Sequence, residues 1–591
     1  MKMKKLLLLS MVIAGLFASC TDILDTSPYN KPASATMWTT ENFTHMGMAG
    51  VYHALRQMHW VNGRNEGWFS YDCYSYTGQM RENNALHNGS PTVSWGDFSN
   101  HWQRIYEGVH RANDAILNIP LKSPVSDELK AQYIAEAKFL RALFYYKLNE
   151  LFRGVPIYLE PVTVEECIKT QDTEEAVWQQ IIQDLTDGIN EPNLPNNDFK
   201  DGRVNKGAAY ALRGKVYMQQ KKWENAIADF AKVGECGFEL FQGGYKELFT
   251  VENERCKEMI FSMQNVGDAP GYGGSQQFYI ATRSMFGWNW NTHMPSPKGV
   301  DLYENEDGTP FDWEDIIPGY TTMTPKDREV YFLRDTLKGG VPIDRRVSQR
   351  VQARLNGLPA EVRPLYLPEG NEARVSRAYV GRDPRLGMCI FTPYSTFLGT
   401  LPNTATEIVT TLRWPSVDTE SLGDVTTDTQ NYFYYLYRKF VDEGANTIPA
   451  RDQCLVDEPL IRYGDVILMW AEALVELNRL TEAAEKVNMI RGRTSVDMPD
   501  VQYADQDELR EKVRKERRIE LLLEGVTFFD EMRWRTLEDS KFNEGNGVLH
   551  AWGGVATTAN TWAGDHLYTW PAPAIEIERN PNLKKTPGWT Y

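Results

Sequence analysis

The chain is poor in the residues that metal and redox chemistry need. It has seven cysteines and nine histidines in 591 residues. Beyond Cys20 the cysteines (Cys73, Cys167, Cys236, Cys256, Cys389 and Cys454) are scattered and show no CxxC spacing, and the histidines form no HxxxH or HExxH pattern. Structural zinc and zinc-assisted hydrolysis therefore lack support, and neither a metal site nor a cofactor is expected. One or two disulfides are open to an exported chain, but the scatter favours buried thiols. Positive charge is also short: 63 Lys and Arg face 80 Asp and Glu, a net charge of -17. Such a surface repels phosphate backbones, which excludes nucleic acid as an expected partner. Acidic glycans are disfavoured on the same ground unless a local basic patch overrides it. After Phe17 no apolar run approaches the ~20 residues needed to cross a bilayer.

What is present begins at the N-terminus. Lys2, Lys4 and Lys5 precede an apolar run from Leu6 to Phe17 and then Ala18-Ser19-Cys20. This is the layout of a bacterial secretory signal spanning residues 1–19. Ala-Ser-Cys resembles a lipoprotein lipobox, with Phe17 where Leu is more usual, so Cys20 is expected to be lipidated and to become the first mature residue. Several acyl chains on one cysteine anchor a soluble body stably, where one chain does not. Asp22 and Asp25 just beyond it suit export to the cell surface.

The first half of the chain reads as helices. Thr40 is a plausible N-cap for 40–58, and apolar stripes mark 101–119, 127–152 and 173–190, the third of these four stopped by Arg153-Gly154-Val155-Pro156. Residues 205–233 place Tyr210, Gly214, Tyr217, Trp223, Ala226 and Phe230 at the offsets of a tetratricopeptide helix hairpin. Ala471, Leu474, Ala483 and Val487 repeat the theme in 461–493. Between the two hairpins lies an insertion, about 240–455, rich in Gly, Pro, Asn and aromatics, with strand-like runs at Met259–Met263 and Tyr432–Tyr437. Loops of that length usually carry function. The expected organisation is a helical part over 20–239, the irregular insertion over 240–455, and a helical repeat with a signature region over 456–591, all within one domain.

Charged motifs punctuate this plan. Glu516, Glu520 and Glu524 recur every four residues, interleaved with Arg517 and Arg518. They share a helix face and read as a salt-bridged structural stripe, not a catalytic pair. The motifs Arg382–Leu386 and Arg462–Asp465 read the same way, as side chains pinning backbone and neighbouring helices. Glu304-Asn305-Glu306-Asp307-Gly308 lacks the ligand alternation of a calcium loop and reads as a turn.

Taken in order, these motifs resemble the SusD/RagB family of Bacteroidetes outer-membrane nutrient-binding lipoproteins. Trp102, Tyr106, Arg111, Ala112 and Asn113 match a family helix, and Glu136 to Tyr145 is similar to the next one. Arg382-Asp383-Pro384-Arg385-Leu386 and Arg462-Tyr463-Gly464-Asp465 with Ala471-Glu472-Ala473 match short signatures, with Asp465 where Glu is commoner. The strongest signature is Glu516, Arg517, Arg518, Glu520, Leu521, Glu524, Gly525, Asp530, Arg533 and Trp534. The ending PAPAIEIERNPNLKKTPGW looks like a family strand and turn. The resemblance implies a mainly α fold: four tetratricopeptide-like helix pairs as a scaffold, with a large loop-rich lobe containing short strands. It also implies a partner, a SusC-like TonB-dependent barrel that receives the captured nutrient, most often oligosaccharide, and it carries over no catalytic residues.

Ligand residues are expected where aromatic rings fall on no helical stripe. One such segment is 60–98, with Trp68, Tyr74, Arg81, Asn83 and Trp95, and the other is 272–290, with Trp288, Asn289 and Trp290. Rings stack on sugar faces, while amide and guanidinium groups fix hydroxyls. The expected function is capture of oligosaccharide at the outer membrane, on the cell exterior, without bond chemistry. Peptide capture on the same architecture, a surface glycoside hydrolase with carboxylates ~5–9 Å apart, and a protein-binding helical adaptor are the alternatives.

Overall fold

The computed structural model describes residues 34–61, 64–65, 67–267, 272–285, 289–401, 404–427, 432–444, 453–542 and 547–591. Four antiparallel helix pairs form the scaffold. They are α1 (Glu41–His53) with α2 (Gly96–Lys122), and α3 (Asp127–Phe152) with α4 (Glu174–Asn190). Next come α5 (Lys206–Gln219) and α6 (Trp223–Glu235). A seventh helix, α7 (Arg345–Asn356), belongs to the lobe. The fourth pair, α8 (Tyr463–Glu476) with α9 (Leu480–Arg491), follows the lobe in sequence but stacks on α6. Two more helices, α10 (Gln506–Glu520) and α11 (Thr527–Trp534), carry the long signature.

Local chemistry sets the helix ends. Thr40, Ser126, Thr173 and Asn205 each accept a backbone N–H from their own first turn, the usual way a helix start satisfies its free donors. Helix α3 stops where Arg153 and Gly154 turn left-handed and Asn149 Oδ1 accepts the Gly154 N–H at 2.9 Å. In the α5–α6 hairpin, a Cβ at Gly214 would lie 2.3 Å from the Phe230 ring, so glycine is what lets the helices close. Ala471, Leu474, Ala483 and Val487 are likewise buried between α8 and α9.

The lobe has its own apolar core, centred on residues such as Tyr303, Phe332, Trp414, Phe433 and Trp552, beside the larger core of the scaffold. Its strands are short and occur in pairs. They include β1 (Gly78–Met80), β2 (Met259–Met263), β3 (His293–Pro295), β4 (Leu436–Tyr437), β5 (Glu458–Arg462) and β6 (Gly547–Leu549). The antiparallel pair β2–β5 sits where the chain leaves the scaffold and returns to it.

Two expectations change. Only Leu436–Tyr437 of the 432–437 run is a strand. The C-terminal stretch Ala574–Arg579 is a short helix after Pro573, in which Ile577 packs on the core while Ile575 is 41% exposed. The Glu304–Gly308 stretch is a turn, closed by Gly308 N–H donating to Asn305 O at 2.8 Å. Of the six cysteines after Cys20, Cys73, Cys236, Cys389 and Cys454 are buried thiols, Cys256 is half-buried and Cys167 is exposed.

The charged motifs meet at the junction of lobe and scaffold. Arg385 binds Asp383, Glu516 and Glu520 at 2.8, 2.6 and 3.1 Å. Arg462 reaches Glu520 at 2.9 Å and Glu524 at 2.7 Å, and also pairs with Glu258. Arg493 bridges Glu258 and Glu520, Lys439 binds Glu524, and Arg491 with Lys515 closes on Glu304. Six cations face six carboxylates, so the buried cluster carries no net charge. A second cluster ties α10 to the scaffold: Arg517 binds Asp465 and Asp530, and Lys215 of α5 also binds Asp465. Gly525 completes the signature. It has φ +66, and a Cβ there would lie 2.1 Å from the Trp68 carbonyl oxygen.

Two expected outcomes follow from this packing. Gly214→Val should cost at least 1–3 kcal/mol, about the usual penalty for overpacking, read as a lower urea midpoint. Burial pushes the Glu520 carboxyl up, but Arg493, Arg462 and Arg385 outweigh it and hold it at about 2. Its folded value is below the unfolded one, so its contribution is complete above about pH 4.5 and is lost as pH falls toward about 2. Glu520→Gln should cost about 3–5 kcal/mol at pH 7 and flatten the fall of Tm between those pH values.

Candidate functional site

The two aromatic segments picked out in the sequence are joined by strand pairing. Gly78, Gln79 and Met80 of β1 face Pro295, Met294 and His293 of β3. The Gln79 amide then bridges to β6, donating to Leu549 O at 2.9 Å and accepting Leu549 N–H at 2.8 Å. Strand β4 packs on β3, and Ala551 N–H donates to Phe433 O at 2.8 Å. Four distant stretches of chain thus end at one surface of the lobe.

Arg81 is fixed there at both ends. Its N–H donates to Thr292 O at 2.7 Å, and its guanidinium lies 3.4 Å from Trp290 O and 3.1 Å from the Glu82 carboxylate. Trp290 is half-buried, its ring 4.7 Å from Phe278 and 6.4 Å from Tyr279. Asn83 donates to Asn560 Oδ1 at 3.2 Å. Beside them runs a ladder of rings. Tyr432 and Tyr434 stack at 5.7 Å, Tyr434 and His550 at 5.9 Å, and His550 and Trp552 at 4.3 Å.

Burial and the neighbouring Tyr432 hold the Tyr434 phenol well above its usual range, while the Arg81 charge acts in the opposite direction. The Tyr434 hydroxyl is buried without a hydrogen-bond partner among the described residues. Burial and the Arg354 charge hold the His550 imidazole down at about 4, and Nδ1 accepts the Phe433 N–H at 3.2 Å. His550 is therefore neutral at physiological pH. Of the side chains just named, only Glu82 carries a carboxylate, and a two-carboxylate glycosidase mechanism needs a partner for it.

The expected ligand residues divide. Arg81, Asn83 and Trp290 come together at this surface, and Asn289 lies beneath it, 4% exposed, with its amide 3.4 Å from Thr282 O. Trp288 lies outside the described residues. Trp68 and Tyr74 are core residues: Trp68 packs on His59 at 3.6 Å, and the Tyr74 hydroxyl accepts from Asn84 at 2.7 Å. They belong to a 3-10 turn, Trp68–Tyr74, in which all seven side chains are buried, so no solvent face interrupts it. Trp95 packs edge-on to Phe98 at 5.0 Å, in the ring cluster that includes Trp589 near the C-terminus. Sequence reasoning missed Tyr434, His550, Trp552 and Asn560, and used Tyr432 only as a strand signal. The run Tyr432-Phe433-Tyr434-Tyr435 held the clue, since alternate rings on a short extended segment share a side.

Among the described residues no cluster of His, Cys, Asp or Glu could hold a metal ion, and no helix is long and apolar enough to cross a membrane.

Comparison with known proteins agrees with this architecture. The profile described as SusD family matches residues 257–589, and one described as starch-binding associating with outer membrane matches residues 22–218. Two relatives come from Formosa agariphila. SusD-like protein P25 is 24% identical over 52% of this chain and 60% of its own length. SusD-like protein P38 is 23% identical over 89% of this chain and 90% of its own. Among solved structures, a SusD-like carbohydrate binding protein from Bacteroides fragilis superposes with a TM-score of 0.72 at 24% identity, covering 93% of this chain and 100% of that one. Surface glycan-binding protein A from Bacteroides thetaiotaomicron, in complex with laminarihexaose, gives 0.59 at 16% identity, covering 93% and 100%.

Proposed function

The chain belongs to the SusD family, and from that premise we propose that it captures glycan at the bacterial outer membrane without cleaving it. The observation that carries this reading is the meeting of Arg81, Asn83, Trp290 and Tyr432 over the buried strands β1, β3, β4 and β6, with Tyr434 beneath Tyr432. Ring faces offer the apolar side of a pyranose a place to stack. The Arg81 guanidinium and the Asn83 amide offer its hydroxyls directed hydrogen bonds. The starch-binding description of the N-terminal profile and the laminarihexaose complex of one structural neighbour favour sugar as the ligand.

Capture is proposed to precede delivery. In this reading Cys20 carries the lipid anchor, the body faces the cell exterior, and a SusC-like TonB-dependent barrel receives the bound chain. The described surface supports binding better than catalysis, because Glu82 stands there without a facing carboxylate among the side chains that build it.

Calorimetric titration of the chain from Thr21 onward, against plant, host and microbial glycans with a mixed peptide digest as control, tests this. Saturable glycan binding without product release is expected. Trp290→Ala with Tyr432→Ala should weaken it at least tenfold, about 1.4 kcal/mol. Heat from the peptides alone, released sugar products, or indifference to the double substitution overturns the reading.

A further inference from the structure

Arginine charge is unevenly cancelled in this molecule. In the scaffold and at its junction with the lobe, guanidiniums sit on carboxylates. One part of the lobe is different. Eight arginines and three glutamates fall between residues 345 and 382, in a chain of net charge -17. Only Arg346 of the eight is ion-paired among the described residues, to Asp344 and Asp418. Arg350 bonds Ser416 O, Arg363 bonds Asn356 O and Leu358 O, and Arg374 bonds Leu365 O. Arg377 in turn bonds Arg374 O and Ile316 O. Carbonyl oxygens orient these forks but leave their charge in place. The three glutamates are engaged elsewhere or exposed: Glu369 accepts Gly339 and Gly340 N–H, Glu372 lies 3.9 Å from Arg413, and Glu361 points to solvent.

All but the buried Arg382 cluster on α7 and the turns that follow it. Arg345, Arg350 and Arg354 lie on α7; Arg363 caps the last turn of that helix, and Arg374 and Arg377 follow through their carbonyl contacts. Burial lowers the Arg374 pKa, and the like charge of Arg377 lowers it further. The face also touches the proposed glycan surface. The Arg354 guanidinium lies 4.3 Å above the ring of buried Trp414, and its charge reaches half-buried His550, whose ring lies 5.7 Å from that of half-buried Tyr432. Glu329 acts on Arg354 and Asp335 on Arg374, but exposed Arg345, Arg350, Arg363 and Arg377 have no ion pair among the described residues. Clustered cations repel one another, and this points to a partner that supplies counter-charge.

We propose that the arginine face of α7 and residues 363–377, continuous with the aromatic ladder, makes this chain a binder of anionic polysaccharide, one bearing carboxylate or sulfate groups. This rests on the glycan reading and narrows its substrate class. Rings take the sugar faces, and the planar forks take the acidic groups, for which arginine is better shaped than lysine. The net charge of -17 argued against acidic glycans unless a local basic patch existed, and this is such a patch.

The test titrates the chain with polygalacturonate, chondroitin sulfate, neutral laminarin, a peptide digest, and vesicles of phosphatidylglycerol in phosphatidylcholine. An anionic glycan should bind saturably and weaken at least tenfold between about 50 and 300 mM salt, as screening shortens. Arg350→Gln/Arg354→Gln/Arg377→Gln should weaken it at least tenfold. Arg354 packs on Trp414, so the exposed pair Arg345→Gln/Arg350→Gln serves as a second variant, with a severalfold loss and an unchanged Tm expected. Laminarin binding without anionic binding overturns this inference and leaves glycan capture standing. Anionic binding indifferent to both variants, or arginine-dependent binding to the vesicles alone, also overturns it. Binding only to peptides, or to nothing offered, overturns both.

Discussion

The buried exchange of charge between Arg385, Arg462, Arg493 and the glutamates of α10 is the interaction on which the rest of this structure depends. It lies where an insertion of some two hundred residues must be seated on a helical scaffold. Burying six cations and six carboxylates is costly in itself, and a well-packed apolar junction of the same volume could be at least as stable. What charge supplies is direction. Each guanidinium accepts only a narrow set of carboxylate positions, so β5, the loop at 382–385, the end of α9 and the whole of α10 have one mutual arrangement. Gly525 adds a steric version of the same constraint, bringing the signature backbone against the Trp68 carbonyl.

Seating the lobe this way has a functional consequence. The buried strands β1, β3, β4 and β6 beneath the site are each only two or three residues long. Such short pairings hold little stability alone and take their positions from the cores beneath them. A ring ladder and a fixed Arg81 at their ends are then presented already formed, which spares a ligand the entropy of ordering them. The scaffold, in turn, supplies rigidity.

Much of the scaffold was legible in the sequence because helices advertise themselves locally. Thr40, Thr173, the Arg153-Gly154 stop and the Gly214–Phe230 contact each follow from a few neighbouring residues. The structural role of Glu516, Glu520 and Glu524 was legible from spacing, though their partners were not, since Arg385 and Arg462 come from far along the chain. The lobe was harder. Trp68 and Tyr74 lack an amphipathic period because they are enclosed on every side, which looks in sequence like an exposed aromatic loop. Ile575 and Ile577 alternate as a strand does, yet in the short helix only Ile577 packs on the core while Ile575 is exposed. Tyr434 and His550 meet only through long-range pairing, which no local pattern records.

In the proposed mode of capture a preformed lobe surface, not the helical scaffold, receives the glycan. Hydrogen exchange on the chain with and without saturating glycan tests it most directly. Slow exchange is expected at 78–81, 290–295, 432–437 and 547–551 in the free protein, slowed further by ligand, with α1 to α6 unchanged. Ligand protection concentrated in those helices, or lobe strands that exchange freely until ligand is added, would contradict it.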